Sequence, residues 1–224
     1  MKIIGICGLG GAGKEMLELI KRIGRENWSD VVFIDKFVSD DNREFRGCKV
    51  YTFEEITESY DADALEFIVA VGDVYLREKI YKQIVSAGYG LATLIAPGVY
   101  VPDSTKLGQG VIIQANCFIS LDSNIADNVM ILPNAVIGHD VTIHEHTVIA
   151  AQSSISGGAE IGTRTYVAIG CGIKELVKVG DDTIVSMGTV VNKNVESGVI
   201  VRGNPVEVFS KNYLKSAFRL NVRK

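Results

Sequence analysis

All three histidines of this 224-residue chain fall within eight residues, as His139, His144 and His146. Histidine titrates near neutral pH, so each is a candidate to take a proton from a hydroxyl or amine attacking an activated carbonyl. His139 is followed by Asp140, an acid able to orient an imidazole and support its charged form. Neighbours on a strand point to opposite faces, so adjacency alone does not bring that carboxylate to the ring. The spacing His-x4-His-x-His also admits three imidazoles on zinc, but they occupy different positions of the repeat described below and should leave from different sides of a corner. No metal is expected.

A second group of residues suits phosphate. Gly8-Leu9-Gly10-Gly11-Ala12-Gly13-Lys14 follows the apolar run Lys2 to Cys7 and precedes an amphipathic stretch from Glu15 to Ile23, which reads as strand, glycine turn and helix. Free N–H groups at a helix start attract phosphate, and glycines let the backbone come close to it. A strand from Val31 to Ile34 ends at Asp35, about twenty residues after the glycines, where a ribose-binding acid sits in a dinucleotide fold. A third strand, Leu65 to Val71, ends at Gly72-Asp73 before a helix over Val74 to Ala87. The carboxyl ends of such strands line a crevice, so Gly8, Gly10, Gly11, Gly13, Asp35, Gly72 and Asp73 form the expected substrate site. Between these, Phe45 to Tyr51 reads as an edge strand and Phe53 to Tyr60 as a small helix, and Leu91 to Ile95 reads as a fourth strand.

The glycine run has competing readings. It spells G-x-G-x-x-G in full, yet only about ninety-five residues precede the next domain, enough for half of a doubly wound fold. It also matches G-x-x-x-x-G-K, but Glu15 stands where a Ser or Thr would hold magnesium, which argues against a nucleoside triphosphatase. A tight turn with no ligand is the structural alternative. A nucleoside diphosphate binder fits best.

The elements that must carry the histidines follow from one pattern. From Val101 to Val191 an Ile, Val or Leu recurs every six residues, sixteen times, and four positions after each sits a small or β-branched residue. Helices repeat near 3.6 and hairpin strands near two, so neither gives a strict six. A parallel β-helix does, with three hexapeptides per triangular coil of about eighteen residues and the aliphatic ladder inside. Gly108, Gly138, Gly162 and Gly180, each just after a ladder residue, are expected to serve corners with unusual backbone angles. The chain thus divides into an α/β half-Rossmann domain over residues 1–96, a β-helix over 97–209 and a tail over 210–224, with the basic stretch from Val206 to Lys224 read as a short helix that caps the end of the solenoid.

Composition narrows the function classes. The net charge of −4 and a charged fraction of 22% give no attraction for nucleic acid. No run of eighteen apolar residues is present, and Met1 to Ile6 reads directly into a strand, so a cytoplasmic protein without membrane insertion is expected. Cys7, Cys48, Cys117 and Cys171 show no C-x-x-C or zinc spacing and read as small buried hydrophobes in reduced form.

The hexapeptide pattern resembles the hexapeptide-repeat acyltransferases. The glycine turn, the Ile34-Asp35 strand end, Val71-Gly72-Asp73 before Leu76-Arg77-Glu78-Lys79-Ile80, and Ala96-Pro97-Gly98 at the entry to the repeats are together similar to the sialic-acid O-acetyltransferase group of the NeuD/PglD type. The resemblance implies a left-handed parallel β-helix, a homotrimer, and acetyl-CoA bound in the groove between subunits. It implies transfer of acetyl to a sugar, foremost the 4-amino group of a nucleotide-linked amino sugar used in bacterial surface glycans, or alternatively to a hydroxyl of sialic acid. Within it, Gly138-His139-Asp140 matches the catalytic base and its orienting acid. Gly157 matches the glycine whose N–H faces the thioester carbonyl, and Ile169, Gly170, Met187 and Gly188 match contacts of the pantetheine arm. Two departures stand out: Ala12 and Val148 occupy positions where many or some relatives carry His. A reading from another class keeps the glycine loop as a dinucleotide site in a regulatory or redox protein, with the β-helix as an oligomerisation scaffold.

Overall fold

The computed structural model describes residues 1–39, 43–204, 206–213 and 215. Its N-terminal part is a parallel sheet built from β1 (Ile3–Cys7), β2 (Asp30–Ile34), β4 (Cys48–Tyr51), β5 (Leu65–Val69) and β6 (Gly90–Leu91), with β3 (Glu44–Phe45) pairing antiparallel to β4. The order β3-β4-β2-β1-β5-β6 sends the chain one way from β1 to β2 and the other way to β5, so the crevice lies at their carboxyl ends. Helices α1 (Gly11–Ile23), α2 (Phe53–Ser59) and α3 (Val74–Ser86) complete this part. Helix α2 begins with a reciprocal capping box between Thr52 and Glu55. The stretch expected as a fourth strand divides in two: Gly90–Leu91 joins β5, whereas β7 (Leu94–Ile95) pairs with Ile112–Ile113 of the next domain.

From there the chain winds as a left-handed parallel β-helix of two-residue strands. Residues eighteen apart are parallel partners, as in Ile137 with Ile155 and Ile143 with Ile161. The ladder from Ile113 to Val191 is buried throughout, and each such side chain is worth roughly 1.5–3 kcal/mol of burial. The small residues four positions on do more than fit: Ser123, Thr147, Ser153 and Thr165 each donate to the carbonyl fifteen residues ahead at 2.7–2.9 Å. Near the end of the stack, the Thr189 hydroxyl is left without a partner among the described residues.

The corner glycines act differently from expectation. Positive φ falls two residues later, at Gly110, Asp140, Arg164 and Asp182. Gly108, Gly138, Gly162 and Gly180 are needed because the next coil presses on them: a Cβ at Gly138 would sit 2.7 Å from the Gly157 nitrogen. The tail also differs, since Glu207–Lys211 forms a strand antiparallel to Val199–Arg202 in place of a helix. An open strand edge offers unpaired N–H and C=O groups, and this strand covers it. Residue 214 and residues 216–224 of the tail lie outside the described part.

The prism has three faces. The docked face carries Ile112, Met130, Val148 and Tyr166 outward, and these pack with Met16, Leu17 and Ile20 of α1 and Val74 of α3. The polar face presents Lys106, Asn124, Thr142, Glu160 and Lys178. The open face presents Phe118, Val136, Ser154, Gly172 and Val190, with Phe118 59% exposed.

Polar contacts close the docked seam. Arg164 pairs with Glu78 of α3 at 3.1 Å and with Asp182 of its own β-helix at 2.7 Å. His146 is 6% exposed, its ring tilted 60° against that of Tyr81 with centroids 5.0 Å apart. Its Nδ1 accepts from the Asn128 amide at 3.1 Å, an orientation set because the Asn128 carbonyl oxygen is taken by Arg77. Burial lowers the His146 pKa to about 4. The folded state therefore keeps the ring neutral where the unfolded chain protonates it, so stability is full above the ordinary histidine pKa and falls as pH drops from about 6.5 to about 4. His146→Asn, which suits the left-handed corner at φ 63°, should remove on the order of 3 kcal/mol of that acid loss. Urea midpoints at pH 7.5 and 4.5 measure it, and equal losses in both proteins would refute the account.

Candidate active site

His139 stands on the corner between the open and polar faces, one residue beyond the strand Val136–Ile137. The concern that Asp140 would face away is removed by the corner itself: Asp140 adopts φ 56°, a left-handed conformation that Asp tolerates, and is no longer on a strand. Its Oδ2 lies 2.7 Å from His139 Nδ1. Nδ1 therefore carries the proton and donates, leaving Nε2 as a lone-pair base. The pair is 68% and 64% exposed, open to a ligand from outside.

One coil later, Gly157 lies under the ring. A Cβ there would be 2.6 Å from both Cε1 and Nε2 of His139, so only glycine leaves the imidazole room. The Gly158 N–H donates to the His139 carbonyl at 2.8 Å and fixes the two corners on each other. Among the described residues, the Gly157 N–H donates to no protein acceptor. The equivalent N–H groups of Gln109 and Thr163 donate to Asp127 and Asp181. An unengaged N–H beside a histidine lone pair is suited to a developing oxyanion.

The other histidines go elsewhere. His144 Nε2 meets Glu160 at 3.1 Å, and Glu160 also pairs with Lys178 at 2.8 Å, forming a charged row on the polar face that holds the Glu160 carboxyl below its usual range. His146 faces the docked seam. Three imidazoles in three directions do not converge, and among the described residues no His, Cys, Asp or Glu group could hold a metal ion.

The glycine loop forms as read, with α1 beginning at Gly11, earlier than the amphipathic pattern indicated. Gly8 has φ 120° and its N–H donates to Ile34 at 3.0 Å. At Gly13 a Cβ would collide with the Gly8 carbonyl oxygen, which is why the helix can lie so close to its strand. Gly10 caps α1 with no side-chain bond, so its first N–H groups face the crevice. Asp35 accepts from the Phe37 N–H at 2.9 Å, and Asp73 caps α3 through the N–H groups of Tyr75 and Leu76. The register of Cys7 with Ile34 and Val69 sets Gly8, Asp35 and Ala70 side by side at the carboxyl ends.

The sequence-derived residues thus form three groups that one chain does not bring together. His139, Asp140 and Gly157 share the open–polar corner. Ile169, Gly170, Met187 and Gly188 share the docked–open corner, across the open face, with Ile169 and Met187 exposed. The glycine loop, Asp35 and Gly72-Asp73 sit over the docked face, on the opposite side of the prism from His139. Sequence reasoning missed the cleft of about 350 Å³ between α1 and the β-helix, lined by Lys14, Glu15, Arg22, Arg46 and Gln114. It also missed the interdomain role of Arg77 and Asn128. Gly138→Ala should cost about 2 kcal/mol by driving coils apart, whereas Gly157→Ala should leave stability within about 1 kcal/mol and displace the ring. Denaturant midpoints and the histidine ring NMR signals test this, and an unmoved His139 signal in Gly157→Ala would count against the contact.

Residues 3–84 match the family model described as PglD N-terminal domain, and residues 122–157 match the bacterial transferase hexapeptide model of six repeats. A histidine-to-asparagine variant of perosamine N-acetyltransferase from Caulobacter crescentus, in complex with CoA and GDP-perosamine, is similar at 28% identity and TM-score 0.83, covering 93% of this chain and 96% of that one. The acetyltransferase domain of PglB from Neisseria gonorrhoeae, in complex with acetyl coenzyme A, is similar at 25% identity and TM-score 0.86, over 92% and 98%. WeeI from Acinetobacter baumannii is similar at 25% identity and TM-score 0.84, over 93% and 100%. The search of curated proteins gives no match. No helix among the described residues is long and apolar enough to cross a membrane.

Proposed function

Because this chain belongs to the PglD/NeuD-like hexapeptide-repeat acyltransferases, we propose that it moves the acetyl group of acetyl-CoA onto the 4-amino group of a nucleotide-linked amino sugar. The observation that carries the mechanism is the His139–Asp140 pair at 2.7 Å over the Gly157 backbone. His139 Nε2 takes the proton as the amine attacks the thioester carbon, and Asp140 supports the imidazolium. The Gly157 N–H receives the charge that forms on the carbonyl oxygen. Collapse breaks the C–S bond, and His139 returns its proton to the leaving thiolate. The glycine loop and Asp35 hold the nucleotide, with Gly72 and Asp73 completing the crevice, and Ile169, Gly170, Met187 and Gly188 hold the pantetheine arm.

This reading requires a second copy, since the crevice and His139 lie on opposite sides of one prism. The half-apolar open face supplies the contact, and a homotrimer lets the open–polar corner of one copy meet the docked–open corner of its neighbour. The relatives' complexes with CoA, acetyl-CoA and GDP-perosamine support donor and acceptor class. A cytoplasmic location agrees with these soluble co-substrates.

The test is CoA thiol release from acetyl-CoA with a panel of UDP-, GDP- and dTDP-linked 4-amino sugars and free sialic acid. One nucleotide-linked amino sugar should turn over, and His139→Ala should lose at least about 100-fold in kcat. Release with sialic acid alone would replace N- by O-transfer, and no release together with tight NAD binding would favour the dinucleotide reading. In the same assay Phe118→Asp should yield monomers in sedimentation and lose turnover together. Monomers of full activity would remove the shared site.

A further inference from the structure

Among the described residues, Arg77 is the largest side chain that folding removes completely from solvent, and it lies on the seam between the two domains. Its position is dictated by α3, whose first turn follows directly from the crevice loop Gly72-Asp73, with the Arg77 N–H donating to the Asp73 carbonyl at 2.8 Å. Nη1 donates back to the carbonyls of Val69 and Val71, at 2.8 and 2.9 Å. These flank Ala70, whose N–H donates to Cys7 at the end of β1. One guanidinium nitrogen therefore fixes the carboxyl end of β5, the floor of the candidate nucleotide crevice.

The rest of the guanidinium faces the β-helix. Nε and Nη2 donate to the Asn128 carbonyl at 3.1 and 2.9 Å, and Nη2 also donates to Asn128 Oδ1 at 2.8 Å. The Asn128 amide returns a bond to the Arg77 carbonyl at 3.2 Å. Every one of these oxygen acceptors is uncharged. Such a set gives little Coulombic pairing for a buried charge, but it satisfies a planar fork of five donors at fixed angles. Asn128 is itself held in the left-handed corner at φ 56°, with its N–H on Gln109 at 2.8 Å. It belongs to the coil that runs on to His139.

We infer that Arg77 and Asn128 form a latch that sets the pose of the nucleotide crevice on the β-helix. Arg77 is then a positioning residue for acceptor transfer, acting through the loop at 70–73. The consequence follows from the shared site. The crevice of one copy meets His139 of another only through contacts of its own β-helix, so an error in its pose becomes an error at the reacting amine. Lysine cannot replace the fork, because one ammonium cannot face the carbonyls of Val69 and Val71 and two oxygens of Asn128.

The kinetic half of this inference rests on the acetyl-transfer reading, and the exchange half does not. Arg77→Lys is compared with Asn128→Gly, which relaxes the corner while deleting the amide and serves where the lysine variant fails to fold. With the active nucleotide-linked acceptor, kcat/KM should fall roughly 10- to 100-fold in each, as expected for a misplaced reactant, while KM for acetyl-CoA stays within about 2-fold. Amide exchange at residues 70–73 should quicken at least about 10-fold, with residues 139–141 and 157–158 unchanged. Unchanged exchange at 70–73 in a folded variant would overturn the latch, as would equal quickening at the His139 corner. Full turnover despite faster exchange would overturn the positioning role. If the native protein turns over no acceptor, the acetyl-transfer reading fails, and exchange alone decides the latch.

Discussion

Everything in this molecule depends on stacking at a fixed interval of eighteen residues. Two-residue strands hold little on their own, and the coils persist because each strand pairs with the one eighteen residues before and after it. Six residues per side require the chain to turn sharply, and a left-handed residue at successive corners supplies the turn. That interval also decides which side chains meet. Position 139 is placed on position 157, so the room an imidazole needs is written as an absent Cβ one coil away. The same interval puts Asp127 on the Gln109 N–H and Asp181 on the Thr163 N–H, closing donors that at Gly157 remain open. In a solenoid, a site is built by vertical neighbours far more than by sequence neighbours.

The three faces follow from the residue that precedes each ladder position. Where it is Ile112, Met130, Val148 and Tyr166, the face must be covered, and the helices of the first domain cover it. Where it is Lys106, Asn124, Thr142, Glu160 and Lys178, the face stays in water and its charges pair along the stack. The remaining face is mixed, polar and apolar by turns, with Phe118 59% exposed at its start. A charged belt closes the rim of the docked seam through Arg164, Glu78 and Asp182, and these groups hold each other ionised: the carboxyl of Asp182 lies below its usual range because Arg164 donates to it. Apolar burial gives the seam its energy, and the directional bonds of Arg77 and Arg164 give it one register.

The β-helix was legible because a period of six has no other common cause, and the strand–glycine–helix start was legible because Gly8 and Gly13 each answer a separate steric demand. The eighteen-residue alternation that assigns the faces was also present, in Ile112, Met130, Val148 and Tyr166, but it emerges only when every third hexapeptide is compared. Other features could not be read. The short seventh strand joins the second domain because of its partner, Ile112–Ile113, and nothing in Leu94–Ile95 itself says so. The tail pairs as a strand because an edge was free, which is a property of the fold and not of Glu207–Lys211. The corner glycines were assigned the wrong reason: crowding from the next coil is invisible until the coils are stacked. The role of Arg77 left no local signal, since its acceptors on Asn128 lie fifty-one residues away.

The two departures from the related enzymes gain meaning from this geometry. Val148 stands where some relatives have a second histidine, and here it is 1% exposed, packed in the docked seam beside Met130 and Tyr166. An imidazole at that point would carry a polar ring into an apolar contact, so an apolar side chain suits this seam. Ala12 in the glycine loop likewise presents no functional group to a ligand. Acceptor recognition in our reading therefore rests on the backbone of the glycine loop and on the charged cleft beside α1. There Glu15, taking the place of a magnesium-binding hydroxyl, accepts from Gln114 of the β-helix at 3.2 Å. A carboxylate so placed beside Lys14 and Arg46 gives the cleft both signs of charge.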